Sequence, residues 1–99
     1  TTVKRSPALP YLPAIAETIP GYDSAVWYGV LAPAGTPREI VARLNSEILR
    51  VLGSPEFRQR FTMAAVAPIG STPERLGEYI KSEIARWAKL VKESGARID

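Results

Sequence analysis

Ninety-nine residues, 45% of them hydrophobic, are enough for one small globular unit with a thin core. Cysteine and histidine are both absent, which removes thiol nucleophiles, disulfides and thiolate metal sites, together with the commonest general base and metal ligand. The net charge of +3 comes from thirteen basic residues scattered among ten acidic ones, the pattern of solvated helix surface rather than of a gathered anion-binding face.

These absences leave no self-contained active site, and no catalytic residue, metal ligand or cofactor is assigned. No apolar run reaches the ~18 residues of a membrane span. The start Thr1-Thr2-Val3-Lys4-Arg5 lacks the apolar stretch of a signal peptide. The parent is therefore either cytosolic or made as a longer precursor.

Residues 1–37 hold six of the nine prolines. Within residues 1–25, the run Ser6-Pro7-Ala8-Leu9-Pro10-Tyr11-Leu12-Pro13 cannot be helical, because each proline lacks an N–H and restricts the residue before it. It reads as an extended, Pro-rich segment whose apolar side chains cover a surface. A short helical turn is expected at Ala14–Thr18, then a chain reversal at Pro20-Gly21.

Val26–Ala32 reads as the one main strand, uncharged and rich in β-branched and aromatic residues. It does not alternate, which predicts cover on both faces, as in a parallel sheet. Yet Ala65–Ile69 is the only other candidate strand, and a weak one. A strand without a sheet is the oddity of this sequence.

Three helices follow, expected at 37–52, 55–62 and 73–93. Thr36-Pro37-Arg38-Glu39 reads as a capping box opening the first, with Ile40, Val41, Leu44, Ile48 and Leu52 on one stripe. Glu39/Arg43 and Arg43/Glu47 are expected i,i+4 pairs. Ser54-Pro55 opens the second helix, which carries Phe57 and Phe61. Thr72-Pro73 opens the third, which buries Leu76, Ile80, Ile84, Trp87 and Val91 and closes at Gly95. Glu78/Lys81, Glu83/Arg86 and Lys89/Glu93 are placed on its wet face.

Tyr22, Trp27 and Tyr28 are the candidate ligand-binding residues, on or beside the strand. For the two aromatic strand residues, packing on opposite faces of the strand is the plainer explanation. Asp23 suits a turn, and Glu17 suits a structural hydrogen bond better than catalysis. The Ala34-Gly35-Thr36-Pro37 corner could offer helix N–H groups to an anion, but Thr36 capping its own helix explains it more simply.

Three stretches carry a resemblance. They are Arg5-Ser6-Pro7-Ala8-Leu9-Pro10 running on to Pro13-Ala14-Ile15-Ala16-Glu17-Thr18-Ile19-Pro20-Gly21-Tyr22, then Trp27-Tyr28-Gly29-Val30-Leu31-Ala32-Pro33-Ala34-Gly35-Thr36-Pro37, and Gly70-Ser71-Thr72-Pro73-Glu74. In this order they resemble the C-terminal third of the Bug family, the extracytoplasmic solute receptors of tripartite tricarboxylate transporters. Tyr11, Ala14 and Arg75 depart from the family's usual residues without touching the strand or the helix stripes.

The resemblance implies an α/β class: a helix-rich C-terminal fragment of a two-domain, type II-like periplasmic-binding-protein fold, with residues 26–99 as strand plus helices completing a receptor domain. It implies a periplasmic parent with a signal peptide upstream, a small di- or tricarboxylate as ligand, and membrane transporter subunits as partners. It also explains the missing sheet, whose other strands would lie upstream. The competing reading is a basic helical interaction module for an acidic partner or nucleic acid. The lone strand predicts that residues 1–99 expressed alone self-associate as a homodimer.

Overall fold

A computed structural model describes residues 3–97, so Thr1, Thr2, Ile98 and Asp99 and any reading placed on them lie outside it. The chain begins with turns, continues through an irregular apolar segment, and ends in three helices, α1 (Arg38–Gly53), α2 (Pro55–Met63) and α3 (Pro73–Ser94).

The Pro-rich segment is a chain of turns rather than an extended strip. Leu9 N–H donates to Ser6 O at 3.0 Å and Leu12 N–H to Leu9 O at 3.1 Å. Pro7 and Pro10 each take the second position of such a turn, where the fixed φ of proline is an advantage. A 3₁₀ turn at Ile15–Glu17 follows. Gly21, at φ +82°, then takes the left-handed conformation that the expected reversal demands.

The expected strand does not form: among the described residues there is no β-ladder. None of the backbone hydrogen bonds outside the helices falls between residues 23 and 32. Ala65–Ile69 is likewise irregular. The physical reason is the one the sequence hints at. A strand exists only through a neighbour, and no partner segment lies among these residues.

The helices stand close to where their start signals place them, with one difference in mechanism. Ser54 and Thr72 cap as expected, their hydroxyls accepting from Phe57 N–H at 3.4 Å and Arg75 N–H at 3.2 Å. Thr36 does not cap α1. Its hydroxyl donates to Pro33 O at 2.8 Å, and Pro37 holds the cap position without a side-chain bond. Gly95 closes α3 at φ +68°.

Glu47 pairs with Arg50 at 2.7 Å, in place of either pair expected through Arg43. Glu78–Lys81 and Lys89–Glu93 form as expected, at 2.9 and 3.9 Å. Phe57 and Phe61 stack with ring centroids 4.5 Å apart on α2. The Asn45 amide donates to Ser71 O at 2.9 Å and ties α1 to the start of α3.

A closed core is missing. Among the described residues only Ala14 and Glu83 are buried. The expected burial of the α3 stripe is not realised, since Ile84 is 66% exposed and Trp87 and Val91 remain exposed as well. The radius of gyration is 16.6 Å, against ~13 Å for a compact chain of this length. Large apolar side chains lie open along α1, α3 and residues 26–31. Open apolar surface on this scale marks faces suited to packing against something else.

Candidate functional site

The chemistry-bearing residues gather where segment 23–29 lies along α3. Three contacts fix the two together, and they run in opposite chain directions. Gly29 sits against Leu76, where an added methyl would meet Leu76 Cδ2 at 3.6 Å. Trp27 meets the Tyr79 ring edge-on, with centroids 5.2 Å apart. Asp23 Oδ2 lies 3.5 Å from the Arg86 guanidinium.

Leu76, Tyr79, Glu83 and Arg86 recur every three or four residues and so share one helix face. The segment facing them presents its odd-numbered residues. From Val26 on, the even-numbered residues Val26 and Tyr28, with Val30 just beyond, are 83%, 91% and 74% exposed. This two-residue alternation is that of an extended chain. Of the two aromatic residues expected to pack on opposite faces, Trp27 lies against the helix at 38% exposure, whereas Tyr28 packs on nothing.

Glu83 is the centre of this contact. It is 8% exposed, although it was placed on the wet face together with Arg86, which is half-buried. Its carboxylate accepts from Trp87 Nε1 at 3.0 Å and from Arg86 at 3.2 Å. The Trp87 hydrogen bond holds the carboxyl below its ordinary range against the opposing effect of burial, with Arg86 and then Trp27 adding to it. Burial, followed by the negative charges of Glu83 and Asp23, pushes the Tyr79 phenol up. Arg86 also lies over the Trp87 ring, 5.6 Å from its centroid.

A second polar group organises the N-terminal turns. Arg5 Nε and Nη2 reach the two oxygens of Glu17 at 2.6 Å each. Ala14 N–H donates to Glu17 Oε1 at 2.9 Å. Both charged side chains are nearly half exposed, so Glu17 is less buried than its apolar neighbours suggest. The structural role expected of it is the one it has.

The ligand candidates are not brought together into a pocket. Tyr22 is half-buried behind the Gly21 turn, Trp27 is engaged by Tyr79, and Tyr28 stands in the open. Two shallow hollows of about 190 Å³ lie elsewhere, one formed by Val51, Ser54, Glu56, Phe57 and Arg60. The other is framed by Arg5, Leu9, Leu12 and Pro13 among others. No group of acidic residues suited to a metal ion occurs among the described residues. No described helix is long and apolar enough to cross a membrane.

Comparison with known proteins fits this incomplete surface. The UPF0065 protein in the tcbD-tcbE intergenic region of a Pseudomonas species is 41% identical over 95 residues, covering 94% of this chain and 28% of that protein. BugT of Bordetella pertussis is 35% identical over 95 residues, covering 95% of this chain and 29% of its own length. The solved structure of R. palustris Rpa4515 with adipate shares 43% identity and superposes with a TM-score of 0.85, covering 96% of this chain and 32% of that one.

The chain thus spans under a third of the length of these relatives and corresponds to part of a receptor fold. The family model described as the tripartite tricarboxylate transporter family receptor matches residues 1–96. A match over nearly every residue, in a chain that leaves its apolar faces open where a larger fold would cover them, has one reading: this chain belongs to the tripartite tricarboxylate transporter receptor family.

Proposed function

We propose that this chain is part of an extracytoplasmic solute receptor that captures a small organic di- or tricarboxylate and presents it to the subunits of a membrane transporter. The observation that carries the proposal is the 0.85 TM-score superposition, at 43% identity, on a receptor solved with adipate. The family is one of receptors rather than enzymes, and no catalytic role is assigned to these residues. The periplasm is the compartment such a receptor would occupy, reached through a signal peptide in the complete protein.

In this reading the chain contributes as one segment, its open faces covered by strands and helices of the remaining two-thirds. Tyr22, Trp27 and Tyr28 remain the candidate ligand residues, Tyr28 being the most open of them at 91% exposure. Trp27 is held by the contact with Tyr79. The alternative of a basic module for nucleic acid finds little support. Arg5, Arg50, Arg60 and Arg86 are all paired with carboxylates of the chain itself.

A thermal-shift screen of the full-length protein against dicarboxylates, tricarboxylates and aromatic acids tests the proposal. A ligand at a hundred times its Kd adds about 2.7 kcal/mol of apparent stability, a shift of a few degrees. Absence of a shift with every carboxylate would remove the proposed ligand class. Residues 1–99 alone are expected to bind citrate, malate or adipate no better than about millimolar, roughly 4 kcal/mol. Micromolar binding to them by calorimetry would move the whole site onto this chain.

A further inference from the structure

We propose that Arg5 is the latch of a self-contained loop: one guanidinium, bound to Glu17 and to Pro10 O at once, holds residues 5–17 as a unit that opens and closes as a whole. This conformational device does not depend on which ligand the receptor takes.

The three nitrogens of Arg5 all donate within the loop. Nε and Nη2 reach the two Glu17 oxygens at 2.6 Å each, and Nη1 reaches Pro10 O at 3.3 Å. Glu17 accepts in addition from Ala14 N–H at 2.9 Å. Residues 5, 10, 14 and 17 therefore meet at one pair of charges. Between them lie the two turns closed by Leu9 N–H on Ser6 O and by Leu12 N–H on Leu9 O.

The loop finds its order within itself. Among the described residues, no hydrogen bond or ion pair joins residues 5–17 to α1, α2 or α3. Tyr11 and Leu12 are 73% and 50% exposed, so apolar burial adds little at the tip. A turn closed by one backbone hydrogen bond competes poorly with water by itself. Two such turns in series depend on whatever spans them, and Arg5 is what spans them here. An exposed ion pair is ordinarily worth little, but a planar fork on both carboxylate oxygens, with a third acceptor in reach, is the favourable case.

The test uses the full-length receptor without ligand. Amide exchange at Leu9 and Leu12 is read by NMR for wild type, Arg5→Ala, Arg5→Lys, Glu17→Gln and the double variant Arg5→Ala with Glu17→Gln. Arg5→Ala should speed exchange at both amides by about fivefold, the upper range for an exposed pair. Arg5→Lys keeps the charge, but one ammonium cannot stand in the places of three nitrogens, so exchange should be nearly as fast. Glu17→Gln should speed the same two amides although neither of them touches Glu17. The double variant should exchange no faster than Arg5→Ala, the mark of a single unit. Amides of α1 and α3 are the control and should keep their wild-type rates.

Exchange at Leu9 and Leu12 within twofold of wild type in Arg5→Ala would overturn the latch, because the turns, or cover from the rest of the receptor, would then suffice. Full protection in Arg5→Lys would reduce Arg5 to a charge and overturn it as well. So would a Glu17→Gln effect confined to the Ala14 amide, or faster exchange spread equally over α1 and α3.

Discussion

Arg5 and Glu17 face one another through two parallel N–H···O contacts of 2.6 Å, the planar fork of the guanidinium matched to the two carboxylate oxygens. The pair closes the Pro-rich turns into a loop. Because Glu17 also accepts from Ala14 N–H, it joins the entry of the loop to the start of its 3₁₀ turn.

Acid titration should reveal this arrangement. The Arg5 hydrogen bond, with that from Ala14, lowers the Glu17 pKa from 4.5 to about 2. A depressed folded-state pKa means that the contribution of Glu17 is complete above the ordinary carboxylate value and is lost as pH falls towards about 2. Arg5→Ala should return the Glu17 titration, followed by carboxyl NMR shifts, towards the ordinary range. Protection of the Ala14 amide from exchange should fall in the same variant. A Glu17 titration unmoved by Arg5→Ala would contradict the pairing.

Two threonines that look alike in sequence should behave differently. Thr72 caps α3, whereas the Thr36 hydroxyl is turned to Pro33 O and caps nothing. Thr72→Ala should destabilise the receptor by about 1 kcal/mol, and Thr36→Ala by only a few tenths. Urea unfolding of the two variants side by side distinguishes them.

Gly70 should resist enlargement. A methyl group there would lie 2.6 Å from Leu49 Cδ2. Leu49 is 38% exposed and at the flexible end of its side chain can move aside, so Gly70→Ala should destabilise by about 1 kcal/mol, the low end of overpacking. Adding Leu49→Ala should remove the clash, so the two losses measured by thermal melting should fail to add.

Expressed alone, residues 1–99 should self-associate through the open face of Val26, Tyr28 and Val30. An uncharged extended segment lacks the devices that keep edges apart. Light scattering after gel filtration should show a dimer at high micromolar concentration, and Val30→Lys should return it to monomer. A sharp wild-type monomer peak would show that α3 suffices as cover.

The helices were legible because their boundaries are written locally. Ser54-Pro55, Thr72-Pro73 and Gly95 state starts and stops through cap chemistry that needs no distant partner. The strand expected at 26–32 does not form, because a strand depends on a neighbour and no segment among the described residues supplies one. Of the candidate residues singled out in the sequence, Trp27 is the one that meets an aromatic ring of α3, at Tyr79. Glu83 was missed because charge was read as a mark of the wet face. The face α3 turns inward is Leu76, Ile80 and Glu83, not the purely apolar stripe through Ile84. The available signal was a glutamate four residues before a tryptophan, at the spacing where helix side chains meet.

The clasp of Asp23 on Arg86 joins residues on either side of α1 and α2 in sequence. It therefore shuts a wide ring with both helices inside it. The entropy of shutting a ring rises only with the logarithm of its circumference, about 0.6 kcal/mol per doubling. Residues 64–70, an irregular link within that ring, can accordingly lengthen by several residues with little thermodynamic consequence. The Asp23–Arg86 ion pair shares this closure with the Trp27–Tyr79 and Gly29–Leu76 contacts, so the ring does not hang on one pair of charges.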